Sequence, residues 1–166
     1  MTDNRRRWLH WSLQLTAIVV IFVLLNLYNT RDAPSGPAPG INGRLLDGTP
    51  VSLHALRGKP VLLQFWASWC PICGIQQSGI DAIADDYSVL SVAMDESTAD
   101  EIRTYMEDQG VDYPVVHDPD YRIARQYGIR GVPSSFIIDR LGNIRFVESG
   151  YTSSTGLRIR LWWAGR

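Results

Sequence analysis

The sequence predicts an α/β domain, a central sheet of mixed strand direction flanked by helices, with an N-terminal β-hairpin extension and one N-terminal transmembrane helix. Three observations carry this reading. An apolar run follows Arg5, Arg6 and Arg7 closely; strand-length apolar runs alternate with amphipathic helical patterns from residue 60 onward; and a short hairpin pattern stands near the end of the chain. Strand-helix alternation implies parallel neighbours, and a closing hairpin adds antiparallel ones.

At 166 residues with 45% hydrophobic content the chain has room for one core plus a short appendage. The formal charge is −1 and the only basic block lies at the extreme N-terminus, which argues against a nucleic-acid surface or an acidic substrate. The cysteines are two, Cys70 and Cys73, so no disulfide framework staples the fold.

The run over residues 8–29 is long enough, at about 1.5 Å per residue, to cross a hydrocarbon core of about 30 Å. Trp8, Trp11 and Tyr28 fall where interfacial aromatic belts lie, while His10, Ser12, Gln14 and Thr16 weaken its first turns. Arginines precede the run, so the positive-inside bias places residues 1–7 in the cytoplasm and the domain outside. A cleaved secretory signal is the competing reading, but no small-x-small cleavage site follows Tyr28, and retention is favoured. Either reading delivers the domain to the same oxidising side. Residues 30–40, rich in Pro and Gly, read as an extended tether, and residues 41–166 as the folded domain.

Within that domain Asp47-Gly48 forms a turn between two short apolar runs, the hairpin signal. Residues 60–65 read as a strand buried on both faces. Pro71 at a first helical position, with Ile72, Ile75, Ile80, Ile83 and Ala84 following, predicts a helix to about residue 87. Residues 89–94 form the next strand. Thr98 with Glu101 makes a capping box for a helix that ends near Gly110. Residues 113–117 are a third strand, Asp118-Pro119 starts a helix that stops at Gly128, and residues 135–138 are a fourth strand. Leu141-Gly142-Asn143 turns into a returning strand over 144–147, and residues 153–163 form a last helix.

Cys70-Pro71-Ile72-Cys73 stands at the junction of a strand and a helix. With Cys70 as N-cap, Pro71 takes N1, where its missing N–H costs nothing, and the free amides of Ile72 and Cys73 point toward the Cys70 sulfur. That setting favours a thiolate; cysteines at helix N-termini have pKa values of about 3.5 to 7.5 in place of about 8.5. One helical turn also lets the two sulfurs close a disulfide. The chemistry that follows is attack by Cys70 and resolution by Cys73. Three other readings stay open: half a zinc site completed by His54 and His117, an inert buried pair, and a one-cysteine peroxidase, for which Ala67 stands where a threonine is wanted.

The run Phe65-Trp66-Ala67-Ser68-Trp69-Cys70-Pro71-Ile72-Cys73, with Gly131-Val132-Pro133-Ser134-Ser135-Phe136-Ile137-Ile138-Asp139 some sixty residues on, resembles the thioredoxin superfamily. More narrowly it is similar to the membrane-anchored branch containing TlpA, ResA and CcmG, and most of all to ScsD-type proteins of copper-sensitivity suppression. The resemblance implies a thioredoxin fold and an extracytoplasmic protein-disulfide oxidoreductase at the bacterial inner membrane. It implies no cofactor beyond the redox-active Cys70-Cys73 disulfide, and no metal. Pro133 would be cis and lie against the pair, with Val132 offering its backbone to an extended substrate segment. Trp69, Pro71 and Ile72 would complete the substrate-binding groove, and Trp66 reads as core. The partners implied are proteins with disulfides and a membrane electron donor of the DsbD or ScsB type, with a net reductive direction and a role in copper tolerance. Gln64 and Gln76 occupy places where relatives carry acids, so water or another group is expected to serve Cys73. Reduction of apocytochrome c thiols is the second enzymatic reading, against which the missing acid at 76 argues. A copper-binding scaffold using the two sulfurs is the third, unsupported by any Met cluster.

Overall fold

A computed structural model describes residues 2–166 of the chain. Helix α1 (Thr2–Thr30) is followed by the short strand β1 (Gly36–Pro37), then β2 (Asn42–Arg44) and β3 (Pro50–Ser52). β4 (Val61–Trp66), α2 (Pro71–Ala84), β5 (Ser88–Ala93), α3 (Ala99–Gln109), β6 (Val115–His117) and α4 (Arg122–Gln126) alternate as read from the sequence. β7 (Ser134–Ile138), β8 (Asn143–Ser149) and α5 (Ser154–Ala164) close the chain.

Six strands form one sheet in the order β1-β8-β7-β4-β5-β6. β4, β5 and β6 run parallel, whereas β7 pairs antiparallel with both β4 and β8. This is the thioredoxin fold, a mixed sheet with helices on both faces. Every residue of β4 is buried, as expected for a central strand covered on two sides. Leu62 and Trp66 join Ile80 and Ile83 of α2, Ile102 of α3 and Leu157 and Leu161 of α5 on one face. Val61, Leu63 and Phe65 pack with Ile123, Tyr127 and Phe136 on the other. There Phe65, Tyr127 and Phe136 meet as tilted and edge-to-face rings with centroids 5.1 to 5.7 Å apart.

The capping box is formed: Thr98 Oγ1 accepts from the Glu101 amide while Glu101 accepts from the Thr98 amide, and Gly110 ends α3 in the left-handed conformation. α2 stops at Ala84, three residues short of the expected end, because the Asp86 and Tyr87 amides both turn back onto the Ile83 carbonyl. α4 starts four residues later than Asp118-Pro119 suggests. Asp118 lies outside the helix and caps it from a distance, its carboxylate oxygens accepting from the Ile123 and Ala124 amides, with Tyr121 left-handed between them. β2 and β3 pair antiparallel across a turn longer than Asp47-Gly48 alone, because Leu45 and Leu46 lie in the connection; Leu45 bridges to Val116 and the Leu46 amide bonds to the Val115 carbonyl.

Residues 10–30 of α1 are long and apolar enough to cross a membrane. The proline-rich segment behind it lies along the sheet. Gly36 and Pro37 pair with Ile144 and Asn143, the Ala38 amide donates to the Gly142 carbonyl, and Tyr127 Oη donates to the Pro39 carbonyl. Proline can sit there because β1 is an edge strand. Asp32 pairs with Arg130, and the Arg130 guanidinium stands 5.7 Å from the Tyr28 ring centroid.

Candidate active site

β4 delivers its C-terminal end to the turn Ala67-Ser68-Trp69, and α2 begins immediately after it. Cys70 is the N-cap in extended conformation with Pro71 at N1. Cys70 and Cys73 are joined in a disulfide, their Cα atoms 5.3 Å apart. The Cys73 amide donates to Cys70 Sγ at 3.2 Å, so the first sulfur caps the helix that carries the second. Cys73 is buried and Cys70 is 6% exposed.

The loop before β7 meets the pair from the other side of the sequence. The Val132–Pro133 peptide bond is cis, and the Val132 carbonyl oxygen lies 3.6 Å from Cys70 Sγ. Pro133 is buried and Val132 half-buried, while Trp69, Pro71 and Ile72 are exposed around the sulfur. The fold thus brings Val132 and Pro133 against Cys70, with Cys73 buried behind it and Trp69, Pro71 and Ile72 exposed beside it in the chain. Ile75, one turn further along α2 and 70% exposed, extends its apolar side and was not singled out by the motif. Trp66 is core: it is buried, its Nε1 donates to Ser91 Oγ at 3.1 Å, and its ring stacks on Tyr105.

Behind the pair the polar groups are amides. Gln64 is buried, and its Oε1 accepts from Ser135 Oγ at 2.6 Å across the β4–β7 pairing. Gln76 Nε2 donates to the Thr152 carbonyl, whereas Gln76 Oε1 and both polar atoms of Gln77 are buried without a protein partner. These two residues follow Cys73 by three and four positions, so they share its helix face.

One buried acid bonds to the turn that precedes Cys70, and the sequence does not single it out. Asp95 lies just beyond β5, is buried, and accepts from the Ser68 amide at 2.8 Å, Ser68 Oγ at 2.5 Å and the Ser97 amide at 3.0 Å. Burial works to raise its pKa, but the hydrogen bonds from Ser68 and Ser97 outweigh that and hold the carboxyl below the usual range. Register was the available signal. Trp66 pairs with Ala93 in the parallel β4–β5 ladder, and two further residues along each chain bring Ser68 opposite Asp95. His117 does not approach the sulfurs as a ligand; its Nε2 meets the Asp95 backbone carbonyl at 2.9 Å.

Residues 34–147 match the AhpC/TSA family. A thioredoxin-like protein of Haemophilus influenzae is 31% identical over 121 residues, 72% of each chain. The thiol-disulfide oxidoreductase ResA of Halalkalibacterium halodurans is 28% identical over 160 residues, 89% of each chain. The crystal structure of a thiol:disulfide interchange protein of the thioredoxin family from Chlorobium tepidum superimposes with a TM-score of 0.70 at 29% identity. The match covers 80% of this chain and 98% of that one.

Proposed function

The chain belongs to the AhpC/TSA family, within its thioredoxin-like thiol-disulfide oxidoreductases, and from that premise we propose that Cys70 is the nucleophile and Cys73 the resolving thiol of a membrane-anchored enzyme acting on protein disulfides. The reaction needs no cofactor besides the cysteine pair. The observation that carries the assignment of roles is the seat of Cys70 Sγ on the Cys73 amide, at the exposed end of α2.

In the reductive direction the Cys70 thiolate attacks one sulfur of a substrate disulfide. A mixed disulfide forms, and the other substrate sulfur leaves as a thiolate that takes up a proton. Cys73 then loses its proton and attacks Cys70 Sγ, which releases the second substrate sulfur and leaves the Cys70–Cys73 disulfide. Two electrons have passed from the dithiol to the substrate. Val132 offers its carbonyl and amide to an extended substrate segment beside Cys70, and the exposed rings and side chains of Trp69 and Ile72 give the groove its apolar lip.

The anchor holds the domain on the extracytoplasmic side of the inner membrane, and the net direction is reductive. A membrane electron donor restores the dithiol, and copper-oxidised protein thiols are among the substrates. The test is the redox state of Cys70 and Cys73 trapped in cells by alkylation. A mostly reduced pair that becomes oxidised when membrane reductants are deleted is expected; a pair held oxidised in normal cells would reverse the direction.

A further inference from the structure

Asp95 is a charged group that the exchange mechanism does not use. It is 2% exposed, and it makes no ion pair among the described residues. Its charge is met by three hydrogen bonds, two of them from Ser68. Ser68 stands two residues before Cys70, in a turn closed by the Cys70 amide on the Ala67 carbonyl at 3.2 Å. Chain geometry then puts the carboxylate within about 12 Å of Cys70 Sγ. His117 bonds to the backbone carbonyl of Asp95 and not to its carboxylate.

We propose that Asp95 is a positioning residue of the thiol chemistry: through Ser68 it fixes the turn that presents Trp69 and Cys70, and its fixed negative charge keeps the cysteine pair reducing. The proposal deepens the reductive reading above and rests on it. The two electrostatic influences on Cys70 have opposite signs. The start of α2 stabilises the thiolate, whereas a buried anion nearby opposes it. Whatever disfavours the thiolate disfavours the reduced protein and makes the dithiol the stronger electron donor. Gln64, Gln76 and Gln77, the buried polar residues closest to the pair in sequence and register, are uncharged. That leaves Asp95 as the buried acid bound to the loop of the nucleophile.

The test is the equilibrium of the full chain, in detergent micelles at pH 7, with glutathione. One protein dithiol and one glutathione disulfide give the protein disulfide and two glutathione thiols, so the position of the equilibrium reads the potential. Asp95→Asn keeps an oxygen for Ser68 and removes the charge. At about 12 Å and an effective dielectric of about 20, this is expected to shift the equilibrium several-fold toward the protein dithiol, up to about tenfold or about 30 mV less negative where Cys70 is fully ionised. Asp86→Asn removes an exposed carboxylate beyond the far end of α2 and is expected to leave the equilibrium unmoved. Asp95→Ser serves as a second neutral variant, since its hydroxyl can still bond within the turn. A folded neutral variant with the wild-type equilibrium overturns the proposal. Failure of both neutral variants to fold also overturns it, because the carboxylate is then purely structural. A wild-type chain unable to reduce protein disulfides would remove the reductive reading instead, and leave a measured shift standing.

Discussion

The backbone amide of Cys73 donates to the sulfur of Cys70 at 3.2 Å, so the second cysteine of the pair supplies part of the helix cap on the first. In the reduced protein a donor in this place would stabilise charge on Cys70, the sulfur that it faces. Alkylation by iodoacetamide is therefore expected at Cys70 first, with its rate already high below the range of an ordinary thiol, about 8.5. Cys70→Ala should abolish disulfide exchange. Cys73→Ala should retain attack and accumulate mixed disulfides at Cys70, visible as slower bands on non-reducing gels. Equal labelling of the two thiols would contradict the assignment.

Gln64 and Ser135 form a buried pair across β4 and β7, with Ser135 Oγ donating to Gln64 Oε1 at 2.6 Å. Ser135→Ala leaves that oxygen buried without its donor and should cost about 1–3 kcal/mol. Adding Gln64→Leu removes the orphaned group, so the double variant should be less destabilised than the sum of the two single ones. Urea unfolding of the four proteins measures the coupling. Strict additivity would mean that the bond contributes nothing.

The features legible in the sequence are those whose cause is local or periodic. The Thr98–Glu101 box and Gly110 bound α3 because all three act within a few residues of the helix they cap. The apolar runs of β4 and β5 announced a doubly covered sheet for the same reason. Asp95 and Ser135 carry no such local mark. Their meaning arises when register sets Trp66 against Ala93 and Gln64 against Ser135, a long-range fact. The proline-rich segment was misleading in the same way. Its composition suits an extended chain, but the pairing of Gly36 and Pro37 with Ile144 and Asn143 depends on β8, a strand built a hundred residues later.

Gly128 joins that docked segment to the loop of Pro133. It ends α4 with φ +62°, and a Cβ there would overlap the Asp32 carbonyl. Gly36 has φ +75° with open space around it. Both Gly→Ala substitutions should therefore cost about 1–2 kcal/mol for the left-handed conformation. Only Gly128→Ala should also lift residues 31–35 from the domain, read as faster hydrogen exchange or new proteolytic cleavage in that segment. Indistinguishable effects of the two substitutions would show that the contact with Asp32 holds nothing in place.

Asp95 also ties stability to acid. Burial raises its pKa, yet the hydrogen bonds from Ser68 and Ser97 hold it below the ordinary aspartate value in the folded protein, whereas the unfolded chain titrates near 3.9. Below about pH 4 the unfolded state therefore binds the proton first. The stability contributed by the carboxylate is fully present above the unfolded value, declines as pH falls through the folded value, and is absent below it. Asp95→Asn should thus be less stable than the wild type at pH 7 and lose less of its stability on acidification. Asp47 and Glu101 are held low by hydrogen bonds from Thr49 and Thr98 and remain in both proteins, so they leave a common residual slope. Denaturant midpoints at neutral pH, near pH 4 and near pH 2.5 separate the two contributions. Converging curves are the expected result; parallel curves would mean that the Ser68–Asp95 clamp works without its charge.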